Sequence, residues 1–384
     1  MNSLAANANT FASDISLMEQ HFSPLILSRG NQQLAVLGEL QGRVMVTSLS
    51  GKAGASIGWV NRDYLKDGDL TPNRPMGGAD RLSFGPETGD YSLLFKPGIE
   101  RTNDNISYPS AMTIEPYALV SHNSTQAVFK RAFTLTNYNN TLFEIDVTRS
   151  IKLLDNDDIN QLFDIRLPAD IKLIGFSAST QLTNIANSAW NKETGLLSLW
   201  HLTALEPSDN NTVVIPLRGQ LNELVEYFSP NKNSHSKIID QHVLYNADGN
   251  YMNKIGIPPD HTKPVMGAWD AKRKLLTLIH FSFTPAAGVY VNSVWTPNPA
   301  PYAGDVINVF NDGIVDGFGP FGPFYELESS SHTRELQPGE SLQHTQTTVH
   351  IQGTRAELDK IAQQVLGIGL SDIEQVFAAT RAAQ

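Results

Sequence analysis

Apolar and polar positions alternate along most of this chain, which predicts strands. "LAVLGELQGRVMVTSL", Leu34 to Leu49, alternates and breaks at glycines, as two paired strands do. In "AVFKRAFTLTNYNNTLFEIDVTRSIKLL", Phe129, Arg131, Phe133 and Leu135 precede the turn-rich "TNYNNT", and Leu142, Glu144 and Asp146 follow it. "KPVMGAWDAKRKLLTLIHFSF" repeats strand, Asp/Lys turn, strand, and "SLQHTQTTVHIQG" (Ser341 to Gly353) alternates throughout. Helical spacing is confined to the ends. It marks "TFASDISLMEQHF" near the start and two short helices, roughly 354–367 and 371–381. Thr354 with Glu357 and Ser371 with Glu374 fit the capping-box pattern at their starts.

The expected fold is therefore all-β: one large antiparallel β-sandwich with short peripheral helices. Its expected parts are a helical lead-in (1–29), the sandwich (30–353) and C-terminal helices (354–384) packed on the same domain. Neither a fixed-period repeat nor a low-complexity linker interrupts the pattern.

Composition narrows the chemistry. The 384 residues are 41% hydrophobic and 17% charged, as in ordinary globular proteins. A net charge of −11 argues against nucleic acid or an anionic membrane surface as partner. There is no cysteine, which excludes disulfides, thiolate catalysis and cysteine-ligated metals. The ten histidines show no HxH, HxxxH or HExxH spacing, so no zinc site is signalled. His201 and His280 sit in apolar strands and read as core imidazoles. GxSxG, P-loop and helix-opening GxGxxG motifs are missing too, which disfavours serine hydrolases, NTPases and dinucleotide enzymes. No apolar run is long enough to span a membrane. The N-terminus lacks the basic and apolar regions of a signal peptide, and the compartment stays open, the periplasm included if a leader has been removed.

Four stretches carry candidate chemistry. In "GPFYELESSS", Glu326 and Glu328 lie two apart on a strand and so share a face. Such a pair is either in water or in a site that compensates its charge. "PMGGADRLSFGPETG" sets Asp80 beside Arg81 between glycine-rich turns, where a guanidinium fork suits vicinal hydroxyls or a carboxylate. "NSVWTPNPAPYAGDVINVFNDG" supplies Asp305 and Asn308 for sugar hydroxyls, with Trp295 and Tyr302 as stacking faces. Asn311-Asp312-Gly313 there is ordinary turn chemistry. "TQLTNIANSAW" adds Asn184, a residue type that serves turns more often than ligands.

Together, "GVYVNSVW", "GDVINVFNDG", "GPFYELESSS" and "LQPGESLQHTQTTVHIQG" resemble the galactose-mutarotase-like superfamily. With "GGADRLSFGPETG" the chain is similar to an uncharacterised bacterial branch of it. The resemblance covers roughly 30–353 and implies the large "supersandwich" fold. "LESSS" followed by "LQPGES" is similar to the motif around the catalytic base of aldose 1-epimerases, which places Glu328 on the base position. Arg81 is the local match to the sugar-binding arginine, and Asp305 a looser match to an acidic residue that contacts sugar hydroxyls. The family's acid is a histidine in a T-N-H motif, where this chain has Thr183-Asn184-Ile185. Glu326, if its proton is held by burial beside Glu328, is then a candidate acid. The resemblance implies an aldose 1-epimerase-like isomerase acting on a small carbohydrate or oligosaccharide. The chain is expected as monomer or homodimer with no cofactor, and no residue spacing specifies a metal, though Glu and Asp oxygens could hold a cation. The alternatives are a non-catalytic sugar- or uronate-binding protein, or a polysaccharide-degrading glycosidase or lyase.

Overall fold

The computed structural model describes residues 9–227, 229–295, 300–315 and 319–382. Residues 1–8 of the expected lead-in and 296–299 of the Trp295 stretch lie outside this range. In chain order the strands are β1 (Leu25–Arg29), β2 (Gln32–Leu37), β3 (Arg43–Ser48), β4 (Arg81–Gly85), β5 (Ala118–His122), β6 (Gln126–Thr136) and β7 (Leu142–Leu153). They continue as β8 (Lys172–Asn184), β9 (Ser198–Leu205), β10 (Asn211–Pro216), β11 (Val225–Glu226), β12 (Ser236–Ile239) and β13 (His242–Asn246). The last are β14 (Asn253–Ile257), β15 (Val265–Asp270), β16 (Leu275–Phe281), β17 (Ile307–Asn311), β18 (Tyr325–Ser330) and β19 (Ser341–Gln352). The helices are α1 (Phe11–Met18), α2 (Arg62–Asp67), α3 (Asn156–Phe163), α4 (Arg355–Leu366), α5 (Leu370–Val376) and α6 (Ala378–Ala382).

Strands β1–β3 form a small sheet of their own. A ten-stranded sheet runs β12-β13-β10-β15-β16-β19-β8-β7-β6-β5, and a six-stranded sheet runs β11-β14-β17-β18-β9-β4. All pairings between these strands are antiparallel among the described residues, and the expected hairpins β2–β3, β6–β7 and β15–β16 all form. One core lies between the two large sheets. Val213, Val243, Met266 and Ile279 of the ten-stranded sheet meet Ile255, Ile307, Val309 and Leu327 of the six-stranded one. Removing such side chains from water stabilises the fold by about 1.5–3 kcal/mol each.

The other face of the ten-stranded sheet is also covered. Leu358, Ile361 and Leu366 of α4 and Ile373 of α5 pack on Val214, Leu244, Trp269, Leu276 and Val349. Thr354 caps α4 in the expected reciprocal box with Glu357. The second expected box does not form. Gly369, which has no side-chain acceptor, is the N-cap of α5, and Glu374 instead accepts from Arg355 and Trp269 Nε1.

With both faces of the ten-stranded sheet covered, β10 is buried at every position, as are β3 of the small sheet and β9 of the six-stranded one. Among the described residues no helix is long and apolar enough to cross a membrane.

Candidate active site

The six-stranded sheet turns its apolar side chains inward, so the alternate positions face away from the core. Glu326 and Glu328 are on this outer face of β18, flanked by β17 and β9. Register defines what surrounds them. Arg81 (β4), Leu202 (β9), Glu328, Asn308 (β17) and Gly256 (β14) form one cross-strand row. Ala204, Glu326, Phe310 and Lys254 form the next. Directly opposed residues share a face, so both rows project to the same side.

Two cations reach diagonally across these rows. Arg81 Nε and Nη2 each lie 3.1 Å from Glu326 Oε1. Lys254 Nζ lies 2.9 Å from Glu328 Oε2, off hydrogen-bond alignment. That ammonium also sits 4.3 Å from the Trp200 ring centroid and 5.2 Å from that of Tyr227. Glu326 and Glu328 are only 6% and 1% exposed. The pair is therefore in a charge-compensated cluster and not in bulk water.

Two further acids complete it. Asp305 is buried on the lead-in to β17 and accepts from Tyr227 Oη at 2.7 Å. Its carboxylate occupies the space above Gly256, where a Cβ would come within 1.9 Å of Oδ2. Glu87, in the loop after β4, accepts from Tyr108 Oη at 3.4 Å, and its backbone N–H donates to Ser293 Oγ at 3.1 Å. Trp295 follows on the Ser293 strap, its ring edge-on to Phe95 at 6.1 Å.

Burial governs the proton equilibria. It pushes Glu328 up to about 7 against the Lys254 ammonium, with the Glu326 and Glu87 charges adding to the rise. It also pushes Asp305 up to about 7, opposed by the Tyr227 hydroxyl and by Lys254. Glu87 is likewise raised by burial, with Lys254 and Arg81 opposing. Buried carboxyls this close do not all ionise together, so some carry protons near neutrality. Three polar atoms here have no hydrogen-bond partner among the described residues: the buried indole N–H of Trp200 and both oxygens of Glu328, of which Oε2 is ion-paired with Lys254. Buried polar atoms left without a protein partner call for water or a bound polar group to satisfy them.

Five of the sequence-derived residues thus meet: Arg81, Asp305, Asn308, Glu326 and Glu328. Trp295 stands near the Glu87 loop. Tyr302 instead stacks on Tyr91 and donates to the Lys192 carbonyl. Asp80 and Asn184 are not part of the cluster. Asp80 points into the core, pairing with Arg149 and bonding His201 Nδ1 at 3.1 Å, because neighbours on an extended chain face opposite ways. Asn184 is fully buried at the end of β8, where its amide donates to the Ser188 and Leu336 carbonyls and accepts from the Ala186 N–H. Sequence reasoning missed Lys254, Glu87, Tyr227 and Trp200. Lys254 did carry a signal: it is the lone charge in the apolar run "YMNKIGI". Among the described residues, no group of His, Cys, Asp and Glu is placed to hold a metal ion.

The architecture is that of the galactose-mutarotase-like fold. A galactose mutarotase-like protein from Lactobacillus casei superposes with a TM-score of 0.51 at 9% identity, over 86% of this chain and 100% of that one. One from Clostridium acetobutylicum gives 0.51 at 13% identity, over 87% and 96%. At such identities the likeness speaks to the fold alone. The chain itself belongs to DUF6786, a family of unknown function, whose model matches residues 9–377. No curated protein matches the sequence.

Proposed function

We propose that the outer face of the six-stranded sheet is a carbohydrate site, and that Glu328 is its general base in an aldose 1-epimerase-like isomerisation. The observation that carries this reading is Glu328 Oε1, a buried carboxylate oxygen without a donor, on a group titrating at about 7. A base with its titration point near neutrality combines an adequate ionised fraction with real proton affinity. The surrounding mixture suits a sugar: Trp200 and Tyr227 offer aromatic surface, while Arg81, Asn308 and Asp305 offer hydroxyl partners. The galactose mutarotase-like neighbours support a sugar ligand at the level of fold.

Opening a pyranose requires removal of the anomeric hydroxyl proton as the ring oxygen gains one. Glu328 performs the first transfer. Arg81, fixed by Glu326, and Asn308 hold the sugar in register with it. Polarimetry on freshly dissolved aldoses, with Glu328→Gln as control, tests the assignment. Accelerated mutarotation of at least one sugar, lost in the variant, is expected; no acceleration of any sugar by the wild type rejects it.

A binding-only reading is favoured by one observation, that Ile185 stands where the epimerase histidine belongs. In that case sugars raise the melting temperature without being converted.

A further inference from the structure

The histidine missing at Ile185 leaves ring opening without a proton source, and Ile185 itself is exposed beyond the end of β8, in the other sheet. We propose that Asp305 is the proton donor of this site, with Tyr227 as the residue that positions it; the proposal rests on Glu328 being the base. Asp305 lies over Gly256, in the same cross-strand row as Glu328 with only Asn308 between. At about 4.8 Å per strand the Gly256 and Glu328 backbones are about 10 Å apart, which sets the carboxyl over Gly256 and that of Glu328 on either side of Asn308. Gly256 makes this placement possible, since any side chain there would occupy the carboxylate's position.

The hydrogen-bond pattern leaves one oxygen available. Oδ2 accepts from Tyr227 Oη at 2.7 Å, and Oδ1 takes no bond from the described residues. The charged and titratable groups facing Asp305 are Tyr227 from beyond β11 and Lys254 from β14, with Glu328 across the row. Burial outweighs the first two and holds the carboxyl partly protonated near neutrality. Glu326 is poorly suited to the role, because the Arg81 guanidinium already engages its Oε1 through both Nε and Nη2. Glu87 is bonded to Tyr108 and lies outside the row.

The chemistry balances without a co-reactant. Glu328 Oε1 takes the proton of the anomeric hydroxyl, and the C1–O1 bond becomes a carbonyl as the bond from C1 to the ring oxygen breaks. Asp305 Oδ1 gives its proton to that ring oxygen. After rotation about C1–C2, the hydroxyl so formed adds to the other face of the aldehyde and returns its proton to Asp305. Glu328 then protonates O1 of the new anomer.

The test is the pH profile of anomer interconversion for wild type, Asp305→Asn, Tyr227→Phe and Glu328→Gln, using the aldose that wild type converts fastest. A bell is expected for wild type, its acidic limb from Glu328 and its alkaline limb from Asp305. Asp305→Asn is expected to lower kcat by on the order of 10²–10⁴ with little change in KM and to abolish the alkaline limb. Tyr227→Phe keeps the carboxyl but removes the hydrogen bond that favours its anion, so the alkaline limb moves to higher pH. This second variant reports even if Asp305→Asn does not fold. An Asp305→Asn enzyme within a few fold of wild type, one that changes only KM, or an alkaline limb unmoved in Tyr227→Phe overturns the donor assignment while leaving Glu328 as base. Wild-type protein inert toward every aldose overturns the base assignment and the donor with it.

Discussion

Glu328→Gln should change how stability depends on pH, whatever the ligand of the site is. In the folded chain burial raises Glu328 from the ordinary 4.5 to about 7. That displacement corresponds to about 3 kcal/mol. The sign follows from proton counting. Below about 4.5 both folded and unfolded chains hold the proton, and there is no penalty. As pH rises through the window from about 4.5 to about 7, the unfolded chain releases its proton while the folded one keeps it, so stability falls. Above about 7 the full loss is in place. Glutamine has the same shape and does not titrate. It leaves Lys254 without its anion, but that offset is nearly constant over this window. Asp305 contributes a similar slope to both proteins, so the difference between them isolates Glu328. Urea unfolding followed by tryptophan fluorescence at several pH values between about 4.5 and about 8 measures it. Wild type should lose about 3 kcal/mol relative to Glu328→Gln across that range. Two curves that stay parallel would refute the buried, proton-holding carboxyl on which the site rests.

Other consequences follow from the same geometry. Gly256→Ala places a Cβ 1.9 Å from Asp305 Oδ2 and 3.0 Å from the Tyr227 ring, so it should destabilise by about 1–3 kcal/mol in urea unfolding and weaken sugar-induced thermal shifts. Lys254→Met removes the cation beside Glu328; unfolding measurements should show a loss of about 3–5 kcal/mol above Glu328's titration point and a smaller one below it, where the carboxyl is neutral. Thr354→Ala, at the α4 cap far from the cluster, should cost about 1 kcal/mol of stability and leave any activity unchanged in the polarimetric assay.

Much of the fold was legible because local pattern and tertiary structure agree. The β6–β7 hairpin alternates over a turn, and the alternation survives in its burial pattern. The six-stranded sheet was less accessible: β18 pairs with β17 before it and with the distant β9, and no local signal encodes that register. The site splits along the same line. Glu326 and Glu328 stand out as acids in an apolar strand, whereas Glu87 and Tyr227 are loop residues that reach the cluster only through long-range packing. Asp80 shows how adjacency misleads. One residue of offset sends Asp80 to Arg149 in the core and Arg81 to Glu326 on the opposite face. Asn184 shows the competing use of a polar side chain, closing a turn it was not needed to bind beside.

The most direct test of the central claim is a crystal structure of the protein soaked with the aldose that most raises its melting temperature. The account predicts the sugar on the outer face of the six-stranded sheet, its anomeric hydroxyl within about 2.6–3.2 Å of Glu328 Oε1. A sugar bound elsewhere, or one on this face with its anomeric carbon turned away from Glu328, would contradict it.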